Sequence, residues 1–159
     1  MENINEIAMK KAIEESKANL ANNYNNGGPF GAVIVKNEEI ISSAHNTVIE
    51  SHDATAHAEV NAIRLASQKL NTHDLSGCVL YTSAEPCPMC LSAIIWANIK
   101  EVYYANTKKD AADIGFRDDM IYEFLKGNEK GIINIHHIPC KEAIEVFENF
   151  KNRKDKKLY

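Results

Sequence analysis

Two cysteines stand three positions apart at Pro86-Cys87-Pro88-Met89-Cys90, the first of them held between prolines. Thiols at that spacing serve as a redox pair, as half of a structural zinc knuckle, or as two ligands of a catalytic metal. A second group with chemical capacity lies upstream at His57-Ala58-Glu59. A catalytic zinc takes three protein ligands and keeps a fourth position for water. His57, Cys87 and Cys90 supply three such ligands. Residues two apart on a helix do not share a face. Glu59 would therefore project beside a metal held by His57 and reach its water without being a ligand. A closed zinc site would need a fourth protein ligand, for which Cys140 is the best candidate. A thioredoxin-type pair would leave His57 and Glu59 without a task. The remaining histidines fit less well. His45, His52 and His73 lie in or beside polar loops, and His136 and His137 would point to opposite faces of a strand. Cys78 and Cys140 read most simply as small buried hydrophobes.

Both groups are expected at helix starts. Pro88 suits the first helical position after Cys87, in a helix running to about Asn98. The helix carrying His57 is expected from about Ala54 to Leu70, capped by Asp53 or Thr55. Helix N-termini aimed at the ion would add positive potential and keep the thiols deprotonated. Around them the chain alternates in kind. An amphipathic helix reaches about Tyr24, with Met9, Ala12, Ile13, Ser16, Leu20 and Tyr24 on one face. Asn25-Asn26-Gly27-Gly28-Pro29 breaks it. Two strands follow, Phe30 to Lys36 and Glu39 to His45, in a hairpin. Gly27-Gly28-Pro29-Phe30-Gly31 reads either as a turn or as a close backbone approach to a ligand, with Phe30 offering a ring face. Cys78 to Ser83 is a strand buried on both faces, and Glu101 to Ala105 is another. Ile132 to His136 is expected as a last strand. A final helix starts near Cys140 and uses Ala143, Ile144, Phe147 and Phe150. The order predicts an α/β fold of three layers, α/β/α, around a central mixed sheet of about five strands. Sites in such sheets form beyond strand ends, where helix N-termini converge.

The chain has 159 residues, which predicts a single domain spanning 1–159. Its net charge of -4 supplies no global field for nucleic acid. No apolar run approaches a membrane span, and the first residues lack the pattern of a signal peptide. A cytoplasmic location is expected, where thiols stay reduced. The tail from Lys151 to Tyr159 is basic and reads, taken alone, as a solvated end.

His-x-Glu followed by Pro-Cys-x-x-Cys is the pattern of zinc-dependent nucleobase deaminases. The chain resembles the cytidine deaminase superfamily, and within it the branch of bacterial guanine deaminases. The resemblance covers nearly the whole length. It runs through Gly27-Gly28-Pro29-Phe30-Gly31-Ala32-Val33-Ile34-Val35, Thr55-Ala56-His57-Ala58-Glu59, Leu80-Tyr81-Thr82-Ser83 and Glu85-Pro86-Cys87-Pro88-Met89-Cys90. It continues in Trp96, Asp110-Ala111-Ala112, Gly115-Phe116, Asp118, Ile121-Tyr122 and the terminal Tyr159. The zinc motifs belong to the superfamily as a whole. The Gly-Gly-Pro-Phe-Gly and Gly-Phe-x-Asp segments and the final tyrosine favour guanine.

The resemblance implies a cytidine deaminase-like fold with one Zn²⁺ per chain, held by His57, Cys87 and Cys90 and carrying a bound water or hydroxide. It implies hydrolysis of guanine to xanthine and ammonia in purine salvage or breakdown. Glu59 would move the proton. Asp118 would be a second proton carrier near the leaving amine, an assignment that depends on register because Asp119 is adjacent. Asn46 would hydrogen-bond the purine, and Phe30 would stack on it or wall the pocket. Ala58, Trp96 and Tyr159 would also line the substrate. Tyr159 would enter a neighbouring subunit through a swapped segment, residues 140–159, so a homodimer is expected. The alternative is a tRNA adenosine (A to I) deaminase, which shares the zinc motifs but needs a cationic surface, or a deaminase of cytosine or guanosine.

Overall fold

A computed structural model describes residues 3–159. Four strands form one mixed sheet in the order β2-β1-β3-β4. They are β1 (Gly31–Lys36), β2 (Glu39–His45), β3 (Cys78–Ala84) and β4 (Glu101–Asn106). β1 pairs antiparallel with both β2 and β3, whereas β3 and β4 run parallel. The hairpin turns through Asn37 and Glu38, both with positive φ, which matches the twist of the flanking strands. β1 is central and buried from Gly31 to Val35, so it reads as a continuous apolar run.

The two faces of β1 divide the core. Ala32 and Ile34 point to one side and pack with Leu80, and with Ala58, Ala62 and Ala66 of α2 (Ala58–Leu70) and Ile94 of α3 (Pro88–Trp96). Val33 and Val35 point to the other and pack with Tyr81, and with Ala8 and Ala12 of α1 (Ile4–Ser16). Met9 packs against this second cluster as apolar filling. The architecture is thus three layers, with α1 on one face and α2 and α3 on the other. Ile34, Leu80 and Ile94 are among the largest fully buried side chains, each worth about 1.5–3 kcal/mol in removal from water. Alanine on the sheet-facing stripes of α1 and α2 lets the helices lie close. At Gly31 the approach is closest: a Cβ there would come within 2.1 Å of the Ala12 carbonyl oxygen.

Three expectations need correction. The sheet has four strands, not about five. Residues Ile132 to His136 form no strand among the described residues, and every residue from Leu125 to the end is exposed. β4 is therefore an edge strand, and the segment that could extend it lies elsewhere. The first helix stops at Ser16 instead of reaching Tyr24. A 3-10 turn, Ala18–Asn22, follows, and Asn23 and Tyr24 both take left-handed backbone. Asparagine adopts that conformation at low cost, so an asparagine-rich stretch overrides the apolar spacing. Finally, α2 begins at Ala58 with His57, not Asp53 or Thr55, as its N-cap. Asp53 instead closes a tight turn, accepting from both the backbone N–H and the hydroxyl of Thr55.

The remaining elements are α4 (Lys108–Asp113), α5 (Asp118–Leu125) and α6 (Lys141–Lys151). Thr107 and Asp110 form a reciprocal capping box at α4. The last helix starts where its spacing predicts, with Cys140 as N-cap.

Candidate active site

His57 and Cys87 are the N-caps of α2 and α3, both in extended backbone. Two helix N-termini therefore meet at one point, each bringing unpaired N–H groups and positive partial charge. Pro88 occupies the first turn of α3, and the Cys90 N–H donates to Cys87 Sγ at 3.5 Å. His57 Nδ1 lies 3.5 Å from Cys87 Sγ and 3.5 Å from Cys90 Sγ. Zinc bonds of about 2.3 Å to sulfur and about 2.0 Å to nitrogen, at a tetrahedral angle, set such atoms about 3.5 Å apart. One imidazole and two thiols at that separation fit Zn²⁺ in chemistry and in spacing, and all three atoms lie within 4.8 Å of one another. Among the described residues this is the sole His/Cys/Asp/Glu group of that kind, and it holds three ligands, not four. Cys140, the fourth-ligand candidate, is exposed and donates to Glu142, so the expectation of a small buried hydrophobe holds for Cys78 alone.

The electrostatics are those of a cation site. A hydrogen bond from Cys90, helped by His57, brings the Cys87 thiol down to about 4. The same contact with Cys87, together with burial, pushes Cys90 up. The pair thus shares one proton, and a dication is what would let both thiols ionise. His57 is raised, first by its hydrogen bond with Cys87.

Glu59 is 6% exposed, and its burial pushes its carboxyl above the usual range. Its Oε1 accepts from Thr82 Oγ1 at 2.9 Å, and its Oε2 stands 3.4 Å from Cys90 Sγ. The carboxylate is fixed beside the three ligand atoms without joining them. Thr82 stands in the sequence only as part of a matching stretch, with no site role. Its signal was a polar residue inside a strand otherwise buried on both faces, because such a group must find a partner.

A cavity of about 490 Å³ opens over this group. His57, Glu59 and Cys87 form its floor, and Phe30, Asn46 and Asp118 line it. Phe30 meets Phe116 edge to face, with centroids 4.8 Å apart. Phe116 stood in the sequence only as part of a motif, and Tyr24 and Ile114, also in the wall, carried no signal there. Gly27 fits flush against Asn46, where a Cβ would come within 2.4 Å of the Asn46 carbonyl oxygen. The close approach here is to the chain's own Asn46, which lines the same cavity. Asp118 begins α5 and is raised by burial first and by the negative charge of Cys87 next. Tyr122, one turn on, donates to the Pro86 carbonyl at 2.7 Å and so docks α5 on the loop before Cys87. Asp119 is not among the lining residues.

Three sequence-derived contacts lie outside the cavity. Ala58 is fully buried in the core. Trp96, 63% exposed, and Tyr159, 82% exposed, lie against each other with ring centroids 5.8 Å apart. They share a separate groove with His73, Ile63 and Ala93.

Comparison with known proteins agrees with this geometry. Guanine deaminase of Bacillus subtilis (strain 168) is 49% identical over 134 residues, 84% of this chain and 86% of that protein. Its crystal structure superposes with a TM-score of 0.88 at 42% identity, covering 97% of this chain and 98% of that one. A tRNA-specific adenosine deaminase of Aquifex aeolicus is 36% identical over 91% of this chain and 92% of its own length. The model of the cytidine and deoxycytidylate deaminase zinc-binding region matches residues 2–106, which include both helix N-caps, Glu59 and both metal-site thiols. On that match, the chain belongs to the family of zinc-binding cytidine and deoxycytidylate deaminases.

Proposed function

We propose that this chain is a guanine deaminase, exchanging the 2-amino group of guanine for oxygen from water to give xanthine and ammonia. The observation that carries the reading is the cavity itself. Its floor is His57, Glu59 and Cys87, with Cys90 buried behind them, and its walls include a phenylalanine pair and one asparagine. The Bacillus subtilis guanine deaminase, similar over most of both chains, supports the choice of base. Zn²⁺ held by the three ligands would act as a Lewis acid and lower the pKa of water to about 7.

The chain's own residues do the rest. Glu59 takes a proton from the attacking water, delivers it to the ring nitrogen, and then helps pass one to the departing amine. Burial raises its proton affinity, which suits a group that must hold and release a proton near neutral pH. The Thr82 hydroxyl holds one oxygen, leaving the other to face the reacting atoms. Asp118, also raised by burial, lines the same cavity and is the second carrier. Phe30 packs on the base and Asn46 hydrogen-bonds it.

The molecule works as a homodimer with exchanged C-terminal arms, in this reading. The support is the surface that a single chain leaves open. Beyond α5, Ile133, Ile135, Ile138, Ile144, Phe147 and Tyr159 are all exposed. The outer edge of β4 is also unpaired. An extended arm would add Ile132 to His136 to the partner's β4 as the fifth strand, and α6 would lay its apolar face beside it. The chain is then one deaminase domain whose arm, residues 140–159 with the strand-forming stretch before them, packs on the partner. Trp96 and Tyr159, remote from their own cavity but against each other, would complete the partner's. Among the described residues no helix is long and apolar enough to cross a membrane, and four free cysteines suit the reducing cytoplasm where we place the enzyme.

The test is ammonia release across guanine, guanosine, cytosine, adenine and an anticodon stem-loop RNA, on the zinc-loaded protein. Guanine should be turned over fastest by a wide margin. Preference for the RNA would replace this reading with tRNA adenosine deamination, the activity named for the Aquifex aeolicus relative. Equal rates on guanine and guanosine would count against a cavity closed by an arm.

A further inference from the structure

Asn19 lies in the 3-10 turn after α1 and is 2% exposed. Its position in the chain gives it no obvious part in the cavity, which it does not line. Its hydrogen bonds do. Nδ2 donates to the Gly28 carbonyl at 3.1 Å and to the Asn46 carbonyl at 2.8 Å. One buried amide therefore ties the glycine loop to the residue that ends the first hairpin.

Asn46 is held in turn on every side but one. Its backbone N–H donates to the Phe30 carbonyl at 3.1 Å. Its Oδ1 accepts from the Gly28 N–H at 3.3 Å and the Val48 N–H at 3.1 Å. Both acceptor positions of that oxygen are thereby used by backbone donors. Rotating the amide by half a turn would set NH₂ against two N–H groups and leave them unsatisfied, so one orientation is strongly preferred. Nδ2 of Asn46 has no partner among the described residues, and Asn46 lines the cavity. The side chain offers the cavity donors and no acceptor.

We propose that Asn19 is a positioning residue for base selection: by clamping Gly28 and Asn46 it keeps the Asn46 amide donor-outward, so that the cavity favours a purine presenting a carbonyl oxygen over one presenting an amino group there. This rests on the guanine reading. An oxopurine satisfies the Asn46 donor through its oxygen. A 6-aminopurine places N–H against N–H, leaving donors unpaired in a largely apolar cavity, the arrangement that discriminates most strongly between similar ligands.

The experiment compares wild type with Asn19→Asp, Asn19→Ser, Asn46→Ala and the Asn19→Ser/Asn46→Ala double variant. It measures kcat and KM for guanine, inhibition by 2,6-diaminopurine, zinc content and melting. Asn19→Asp keeps the shape but replaces both N–H donors with an oxygen facing two carbonyls. Asn19→Ser removes the clamp without adding charge, and serves if the aspartate variant fails to fold. Either should raise KM for guanine about tenfold, with kcat changed less than about threefold and one zinc per chain retained. The preference for guanine over 2,6-diaminopurine should shrink. In the double variant, loss of Asn19 should cost little beyond Asn46→Ala, because the two act as one unit. Unchanged KM in the folded single variants, or effects that simply multiply in the double variant, would overturn the proposal. Wild type inactive on guanine but active on another substrate would overturn the guanine reading itself, a result separable because it precedes any variant.

Discussion

Complementation between two inactive chains tests where Tyr159 acts. One chain carries Glu59→Ala, which spoils its own proton transfer but leaves its tail intact. The other carries Tyr159→Ala, which keeps Glu59 but removes the terminal ring. In the structure Tyr159 sits on Trp96 and His73, with centroids 5.8 Å and 6.3 Å away, and is absent from the wall of its own cavity. If it serves the partner, a mixed dimer holds one whole site, made of Glu59 from one chain and Tyr159 from the other. Random pairing of equal amounts makes half of the dimers mixed, each with one of two sites intact, so about a quarter of wild-type activity returns. Pairing should be tight. Arm exchange would cover Ile133, Ile135, Ile144, Phe147 and Phe150, on the order of 10 kcal/mol of gross burial before the costs of association. The two chains should therefore be co-expressed with different tags, purified through both, and assayed for ammonia release from guanine. The doubly purified dimer should reach about half of wild type. Activity no higher than that of the separate parents would refute exchange of Tyr159 between subunits.

Other outcomes follow from the same geometry. Glu59→Ala should keep its zinc and lose about 10²–10⁴ in kcat, measured by single-turnover ammonia release alongside metal analysis. Thr82→Val removes the donor to Glu59 Oε1 and should lower kcat about ten- to a hundredfold with KM for guanine little changed. Asp118 is raised in the folded state, so its contribution to stability is fully present below 3.8 and lost as pH rises through its folded value. Metal-stripped Asp118→Asn should accordingly melt above stripped wild type at pH 7, with the gap closing below about pH 4, while its deaminase activity falls; calorimetry across pH checks the first and steady-state assay the second.

The reacting group was legible because its parts are local. His57 with Glu59, and Cys87 with Cys90, lie within two short stretches, and metal chemistry restricts which residue types can serve. The alternation of elements was legible for a similar reason, since β1 buries both faces in an unbroken apolar run and β3 does so through most of its length. What the sequence hid was set by tertiary context. Capping chemistry pointed to Asp53 or Thr55 as the start of α2, yet that turn consumes Asp53 locally and leaves His57 as the N-cap. The strand expected at Ile132 to His136 has strand composition, but a strand exists only where it pairs, and this segment does not lie along the free edge of β4 in its own chain. Thr82 and Asn19 are single polar residues in unremarkable settings; only the partners brought by folding give them work.

The placement of the metal ligands on two helix starts has a consequence for the folded body as a whole. An ion bound by His57 and by Cys87 and Cys90 closes a chelate ring around residues 57–90, a loop that contains all of α2 and β3. Closing a loop of that length removes about 3–4 kcal/mol of freedom from the unfolded chain in the cross-link picture. The ion then acts as a removable staple between the starts of α2 and α3, in a chain with free cysteines and no permanent one. Amide exchange in α2 and β3 should accelerate on chelation well before α1 and β2 respond, which makes metal supply a determinant of how long the polypeptide survives as well as of what it catalyses.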